Sequence, residues 1–301
     1  MPEIWIPITL AAAFLQNIRS ALQKHLQGRL SVCGAAYSRF VYALPVAAVY
    51  LWGLHAFGLP LPTPNARFLI YCLLGGVCQI LFTVFLLWMF SFRSFAVGTT
   101  FSKLEVIMVA LLGAVLLGDS LNAFAVAAIV ISAAGVVALS AAQSDLTFGA
   151  LRRGLNRKST AIGLACAGWL GASSVLFRGA SLSLGHDHFA VAAAYALFVS
   201  VSIQTVLFGV FIARKEPGEL ARVARNWRRA GAAGLAGALA SIGWFTAFTL
   251  HNAAHVRALG QVELLFTFIA TTLVFKEKVT PVEGAGIALV VGGIVLLLVA
   301  G

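Results

Sequence analysis

Ten stretches of about twenty apolar residues, joined by short polar connections, leave this 301-residue chain few architectures. They run over residues 4–24, 33–55, 67–90, 95–117, 121–142, 160–182, 188–213, 229–250, 253–274 and 281–300. A helix of about 20 residues matches the roughly 30 Å of hydrocarbon in a bilayer. Backbone amides in lipid must be satisfied internally, within helices or a closed barrel. Apolar residues make up 60% of the chain and charged residues 10%, and mean hydropathy is +0.95. A water-soluble globule does not carry that balance. The expectation is an all-α, polytopic membrane protein with ten transmembrane helices, the first of them a span rather than a removed leader.

The formal charge of +11 comes largely from residues between the spans, where it orients the protein in the lipid bilayer. No nucleic-acid partner is expected. Cys33, Cys72, Cys78 and Cys166 lie in apolar runs without a CxxC pair, which supports neither a zinc site nor a disulfide framework. The short "GHDH" from Gly185 to His188 is weak evidence for a metal, and no metal or cofactor is expected.

Shifting the sequence against itself by 158 positions aligns Gly76 with Gly234, Phe90 with Phe248, Glu105 with Glu263 and Gly135 with Gly293. Asp119 then falls on Glu277, and Gln261 stands where Lys103 stands. Five spans per copy is an odd number, so the second copy enters the membrane in the opposite sense. The expected organisation is two inverted five-helix repeats, residues 1–142 and 160–301, joined by a basic linker at 143–159.

The stretch "LLGAVLLGDSLNAFAVAAIVISAAGVVAL" and its echo "IATTLVFKEKVTPVEGAGIALVVGGIVLLL" each close an apolar span on an acidic residue, then turn into a Gly-containing last span. With the repeat, these resemble the EamA-type ten-helix members of the drug/metabolite transporter superfamily. The resemblance implies a five-plus-five fold, favours export from the cell and is silent on substrate and coupling ion. A proline common midway along spans four and nine in that family is absent here, with Glu105 and Glu263 in its neighbourhood.

Loops after odd-numbered spans carry fifteen basic residues, among them Lys24, Arg29, Arg152, Arg214 and Arg225, against Arg67, Arg178 and Arg257 on the other side. The bias predicts that the first side is cytoplasmic and both termini lie outside the inner (plasma) membrane. The resemblance implies the reverse. Between spans seven and eight, "RKEPGELARVARNWRR" places Leu220, Val223 and Trp227 at helical spacing, which fits an interfacial helix or a solvated basic loop.

Ionisable groups inside spans are costly and commonly functional. Lys103 and Glu105 point about 200° apart on a helix, so they cannot pair with each other. Glu105 and Glu263 are repeat partners near the middle of their spans and could flank one cavity. Gln16, Asn17, Arg19, Ser20 and Gln23 make the first span unusually polar, and Arg19 can meet a substrate carboxylate or an intramembrane glutamate. Arg39 sits seven residues into span two, suited to snorkelling or pairing near the interface. Phe85, Trp169 and Trp244 are candidate walls of an aromatic pocket, although aromatics equally serve packing. His251 and His255 flank the loop before span nine and read as exposed. Gly284, Ala288 and Gly292 form a small-residue stripe suited to close helix packing, within the protein or with a second copy.

The candidate substrate-binding or coupling set is therefore Glu105, Glu263, Lys103, Arg19, Asn17, Gln16, Trp169, Gln261, Phe85 and Trp244. It suits a secondary active transporter for a small-molecule substrate, polar or zwitterionic, such as an amino acid, with proton or cation coupling. A membrane-embedded enzyme for a lipid or prenyl substrate would need a clustered catalytic set that the scattered acidic residues do not supply. An uncoupled facilitator fits the same spans, and oligomeric state is open.

Overall fold

The computed structural model describes residues 3–26, 28–89, 102–142, 158–265 and 280–300, and all its regular elements are helices. They are α1 (Trp5–Leu26), α2 (Val32–Val41), α3 (Ala43–Ala56), α4 (Ala66–Met89), α5 (Glu105–Leu117) and α6 (Ala123–Ala142). The second set is α7 (Lys158–Ser183), α8 (Phe189–Lys215), α9 (Glu219–Arg225), α10 (Trp227–Leu250), α11 (Ala253–Gly260) and α12 (Pro281–Ala300). Glu277 and its neighbours, with the linker 143–157, lie outside the described residues.

Among the described residues six helical runs are long and apolar enough to cross a membrane: Val32–Ala56, Ala66–Met89, Ala161–Ser183, Phe189–Lys215, Trp227–Leu250 and Pro281–Val299. Glu105–Leu117 and Ala123–Leu139 are apolar but shorter. The chain is a multi-pass membrane protein, and the distribution of its side chains shows why. Leu69, Leu73 and Val77 form an exposed stripe down α4, and Val291 and Val295 do the same on α12. Arg19, Arg39, Arg257 and Glu263 are buried. Apolar surface outside and charge inside is the arrangement lipid favours.

Local chemistry sets the helix ends. Asn65 Oδ1 accepts from Phe68 N at 2.8 Å, and Asn122 Oδ1 from Ala125 N at 2.7 Å, capping α4 and α6. Thr280 and Glu283 form a reciprocal capping box at the start of α12. Pro45 has no amide to give to the carbonyl of Val41, and α2 gives way to α3 there, at Tyr42.

Three helix pairs dominate the packing: α6 with α12, α4 with α7, and α1 with α10. At the first, a Cβ added to Gly135 would stand 2.7 Å from the Gly286 carbonyl, and one added to Gly293 would stand 2.9 Å from that of Ala128. Gly284 and Gly292 have nothing within 4 Å of an added Cβ. The predicted stripe therefore faces away from the bundle, and Gly286, Val290 and Gly293 make the contact instead. Gly293→Leu is expected to lower stability by about 1–3 kcal/mol or more through overpacking, and Gly284→Leu to change it little. Thermal unfolding in detergent measures both.

The short α9 does not lie free at an interface. Val223 is 2% exposed and packs in a cluster with Leu26, Tyr37 and Phe208, while Trp227 is 59% exposed. Buried Glu219 accepts from the Ser31 amide at 2.7 Å and pairs with Arg222, and Ser31 Oγ donates to Glu216. These bonds tie the start of α2 to the junction of α8 and α9. At the opposite end Trp5 stacks on His251 at 4.4 Å, and Arg178 reaches Asp119 at 3.3 Å. His251 is half-buried and His255 buried, so neither is the exposed loop residue that the sequence suggests. Burial, and then the Arg178 guanidinium, hold the His251 imidazole below its usual range.

Candidate functional site

Lys103 precedes α5 and Glu105 opens it, and the two side chains take separate partners. Lys103 Nζ donates to Glu263 Oε1 at 2.8 Å. Glu105 Oε1 accepts from Gln261 Nε2 at 3.4 Å and stands 3.9 Å from Arg257 Nη1. Residues 103 and 261 are 158 positions apart, as are 105 and 263, so each contact is the other with the two halves of the chain exchanged. The exchange is not exact in charge. A lysine serves one carboxylate, while an amide and a more distant arginine serve the other.

The polar run of α1 joins this centre. Gln16 Nε2 donates to Glu263 Oε2 at 3.4 Å, and Asn17 Nδ2 to the Glu263 carbonyl at 3.4 Å. Arg19 is 2% exposed and donates to Ser20 Oγ at 3.2 Å, with its Nε unpartnered. Arg39, which sequence position suggests for the interface, is 5% exposed and donates to Thr83 Oγ1 at 3.1 Å. The stems of both arginines cross the backbone of α10 at Gly237, where an added Cβ would meet Arg19 Cδ at 3.2 Å and Arg39 Cγ at 3.5 Å.

Arg257 is the residue that sequence reasoning misplaced. Counted there with the outer cations, it is buried on α11, donates from Nε to Ser174 Oγ at 3.1 Å, and lies 4.3 Å from the Trp244 ring centroid. Its nearness to Glu105 in sequence is nil, and the only signal was a guanidinium four residues into an apolar span. Trp244 is braced from the other side by Gly260, whose added Cβ would stand 2.6 Å from the indole.

Gln16, Arg39, Ser174, Trp244 and Arg257 line one central cavity together with Gln79, Phe82, Leu170, Ser173, Phe177, Ser241, Phe245 and Phe248. Its free space for water-sized spheres is about 10 Å³, room for about one water. The described residues pack tightly around it. Sequence reasoning missed Gln79, Thr83 and the three serines, because isolated hydroxyls and amides in apolar runs also serve helix packing. Trp169 and Phe85 do not line the cavity: they pack on the cluster of Phe82, Cys166 and Leu170, two members of which do.

The described membrane helices thus pack around a charged, aromatic-walled centre. Residues 160–299 match the EamA-like transporter family, consistent with the drug/metabolite transporter superfamily that the sequence resembles, a family whose members are membrane transporters of small solutes. The match runs from α7 to α12 and includes Trp169, Trp244, Arg257, Gln261 and Glu263. One solved protein crystal structure superposes with a TM-score of 0.70 over 100% of this chain and 98% of its own, at 17% identity. At that identity the likeness concerns the fold alone. No curated protein matches the chain by sequence.

Proposed function

We propose that the chain is a secondary active transporter, moving a small polar metabolite by alternating access between two inverted five-helix halves, residues 1–142 and 160–301. The observation that carries this reading is the crossed pair of contacts, Lys103 with Glu263 and Gln261 with Glu105, beside the central cavity. The helix pairing supports the inversion. Exchange by 158 positions turns the pair α1 with α10 into α7 with α4, and turns Gly135 against Gly286 into Gly293 against Ala128. Such an interface can have two equivalent packings, one open to each side.

In this reading each half contributes five spans, and the described basic residues at the ends of α1, α8 and α9 mark the cytoplasmic face. Both termini then lie outside, and reporter fusions at residue 301 are expected to be inactive on the cytoplasmic side. Glu105 and Glu263 couple transport to a proton by titrating as the halves exchange access, with export the physiological direction. Arg39 and Arg257 are the charged side chains that line the cavity, with Glu105 3.9 Å from Arg257, which suits a polar metabolite that bears an acidic group, amino acids included.

Trp244 is a wall of the solute site, and Trp169 acts on it through Phe82 and Leu170. Trp244→Ala is expected to weaken solute affinity by up to about tenfold, the scale of a lost aromatic packing contact. Trp169→Ala is expected to broaden selection with a smaller loss. Flux in proteoliposomes across amino acids, organic acids and sugars, with and without a pH gradient, tests the function. Gradient-dependent accumulation supports it, and gradient-independent flux would make the protein an uncoupled facilitator. Absence of flux for every solute would overturn it.

A further inference from the structure

Among the described residues the charges at the centre do not balance. Of the ten acidic residues in the chain, only Glu105 and Glu263 fall inside spans away from their ends. Lys103 lies 2.8 Å from one and Arg257 lies 3.9 Å from the other, so both carboxylates are matched. Arg19 and Arg39 remain. Among the described residues no carboxylate comes within 4.0 Å of either guanidinium. Arg19 feels Glu263 only at longer range, and that carboxylate is already held by Lys103.

The two arginines are also brought together rather than kept apart. Both stems cross Gly237, where the α10 backbone has no side chain to separate them. Arg39 lies within electrostatic reach of both Arg19 and Arg257. Like charges in a low-dielectric interior repel strongly, and an uncompensated buried charge is among the most destabilising features a core can hold. Thr83 and Ser20 satisfy one hydrogen bond each without supplying negative charge. Among the described residues the Nε of Arg19 has no acceptor, and Arg39 opens onto the cavity.

We propose that Arg19 and Arg39 hold the oxyanion of the transported solute, which therefore carries a net negative charge: an organic acid with an apolar body, an acidic amino acid included, rather than a neutral zwitterion or a cation. This narrows the transport reading and rests on it. A guanidinium fork matches a carboxylate or phosphate edge with two parallel hydrogen bonds, and Phe82, Phe177 and Phe248 face the remainder of the ligand across the cavity.

The test is thermal unfolding of the purified full-length protein with graded benzoate, succinate, inorganic phosphate, glutamine or putrescine. A ligand that binds only the folded state raises the melting temperature with concentration. Benzoate, succinate or phosphate is expected to do so by several degrees, glutamine and putrescine not. Arg39→Gln and Arg19→Gln are expected to weaken that response about tenfold or more, the scale of a lost charge-assisted hydrogen bond. Arg39→Lys, which keeps the charge, retains part of it. Without anion the two glutamine variants are expected to melt no lower than the parent, because a repulsion has been removed. Stabilisation by glutamine or putrescine alone, or an anion response unchanged in the Arg19→Gln, Arg39→Gln double variant, overturns the proposal. Lower melting of both glutamine variants with an intact anion response assigns the arginines to structure and also overturns it. Parallel flux measurements separate the two readings. Anion binding without flux of any solute would sink the transporter and leave the anion site standing. Flux of zwitterions that is indifferent to both arginines would do the opposite.

Discussion

Glu105→Gln protein is expected to insert, fold and exchange solute across a vesicle membrane, yet to lose pH-gradient-driven accumulation almost completely. Glutamine keeps the size of the side chain and can still accept from Gln261 Nε2, now 3.4 Å from Glu105 Oε1. It cannot carry a proton across. Arg257 stays in place without the carboxylate, because Ser174 accepts from it at 3.1 Å and the Trp244 ring lies 4.3 Å from its guanidinium carbon. A charge paired at 3.9 Å through one long contact is the one best placed to let go during a cycle. Substrate exchange at equal pH isolates the solute site from the coupling step, and accumulation against a concentration gradient measures the step itself. Wild-type accumulation by a well-folded Glu105→Gln protein would refute coupling through this carboxylate.

The second large effect concerns stability. Lys103 and Glu263 meet at 2.8 Å with side chains 22% and 11% exposed, and removing one partner of a buried pair costs about 3–5 kcal/mol. The lysine's partial exposure places Lys103→Met toward the lower end of that range. Glu263→Gln leaves Lys103 without its partner and within electrostatic reach of the buried Arg257, and is expected to cost more. The double variant Lys103→Met, Glu263→Gln is expected to recover much of the loss, with a coupling energy of about 1–3 kcal/mol, while transport stays abolished. Melting temperature and flux then separate: the pair is dispensable for folding once both charges go, and indispensable for function. Additive losses in the double variant would show that the contact holds no coupling energy. Full transport in the double variant would remove the pair from the mechanism.

Membrane insertion was legible because it depends on composition over windows of about twenty residues, and lipid leaves the backbone no alternative to self-satisfied helices. The intramembrane charges were legible for the same reason: Glu105, Glu263, Lys103 and Arg19 stand out against an apolar background at single-residue resolution. Helical spacing predicts that Lys103 and Glu105 take separate partners; they do, although Lys103 stands in the turn before α5 rather than on its helix.

Partner identity was not legible, since it depends on which helices cross. The contact of Lys103 with Glu263 spans 160 residues and that of Gln261 with Glu105 spans 156, and no local pattern encodes either. Arg257 shows the limit most plainly. Its position near a span end gives it the look of a loop cation, and only the packing of α11 against α1 and α5 turns it inward over Trp244. Trp169 and Trp244 are equally aromatic in sequence, yet the tertiary structure puts one behind the cavity wall and the other in it. Which partner the small-residue stripe of α12 takes is likewise a matter of packing. Spacing of four marks a face on which another helix can approach, but α6 takes the neighbouring face, where Gly286 and Gly293 leave its backbone room. Sequence by itself determined that this chain crosses a membrane many times with charge held inside. Which charges meet, and that two arginines are left over, was decided only by the packing, because electrostatic balance is a property of distances between helices and not of their order along the chain.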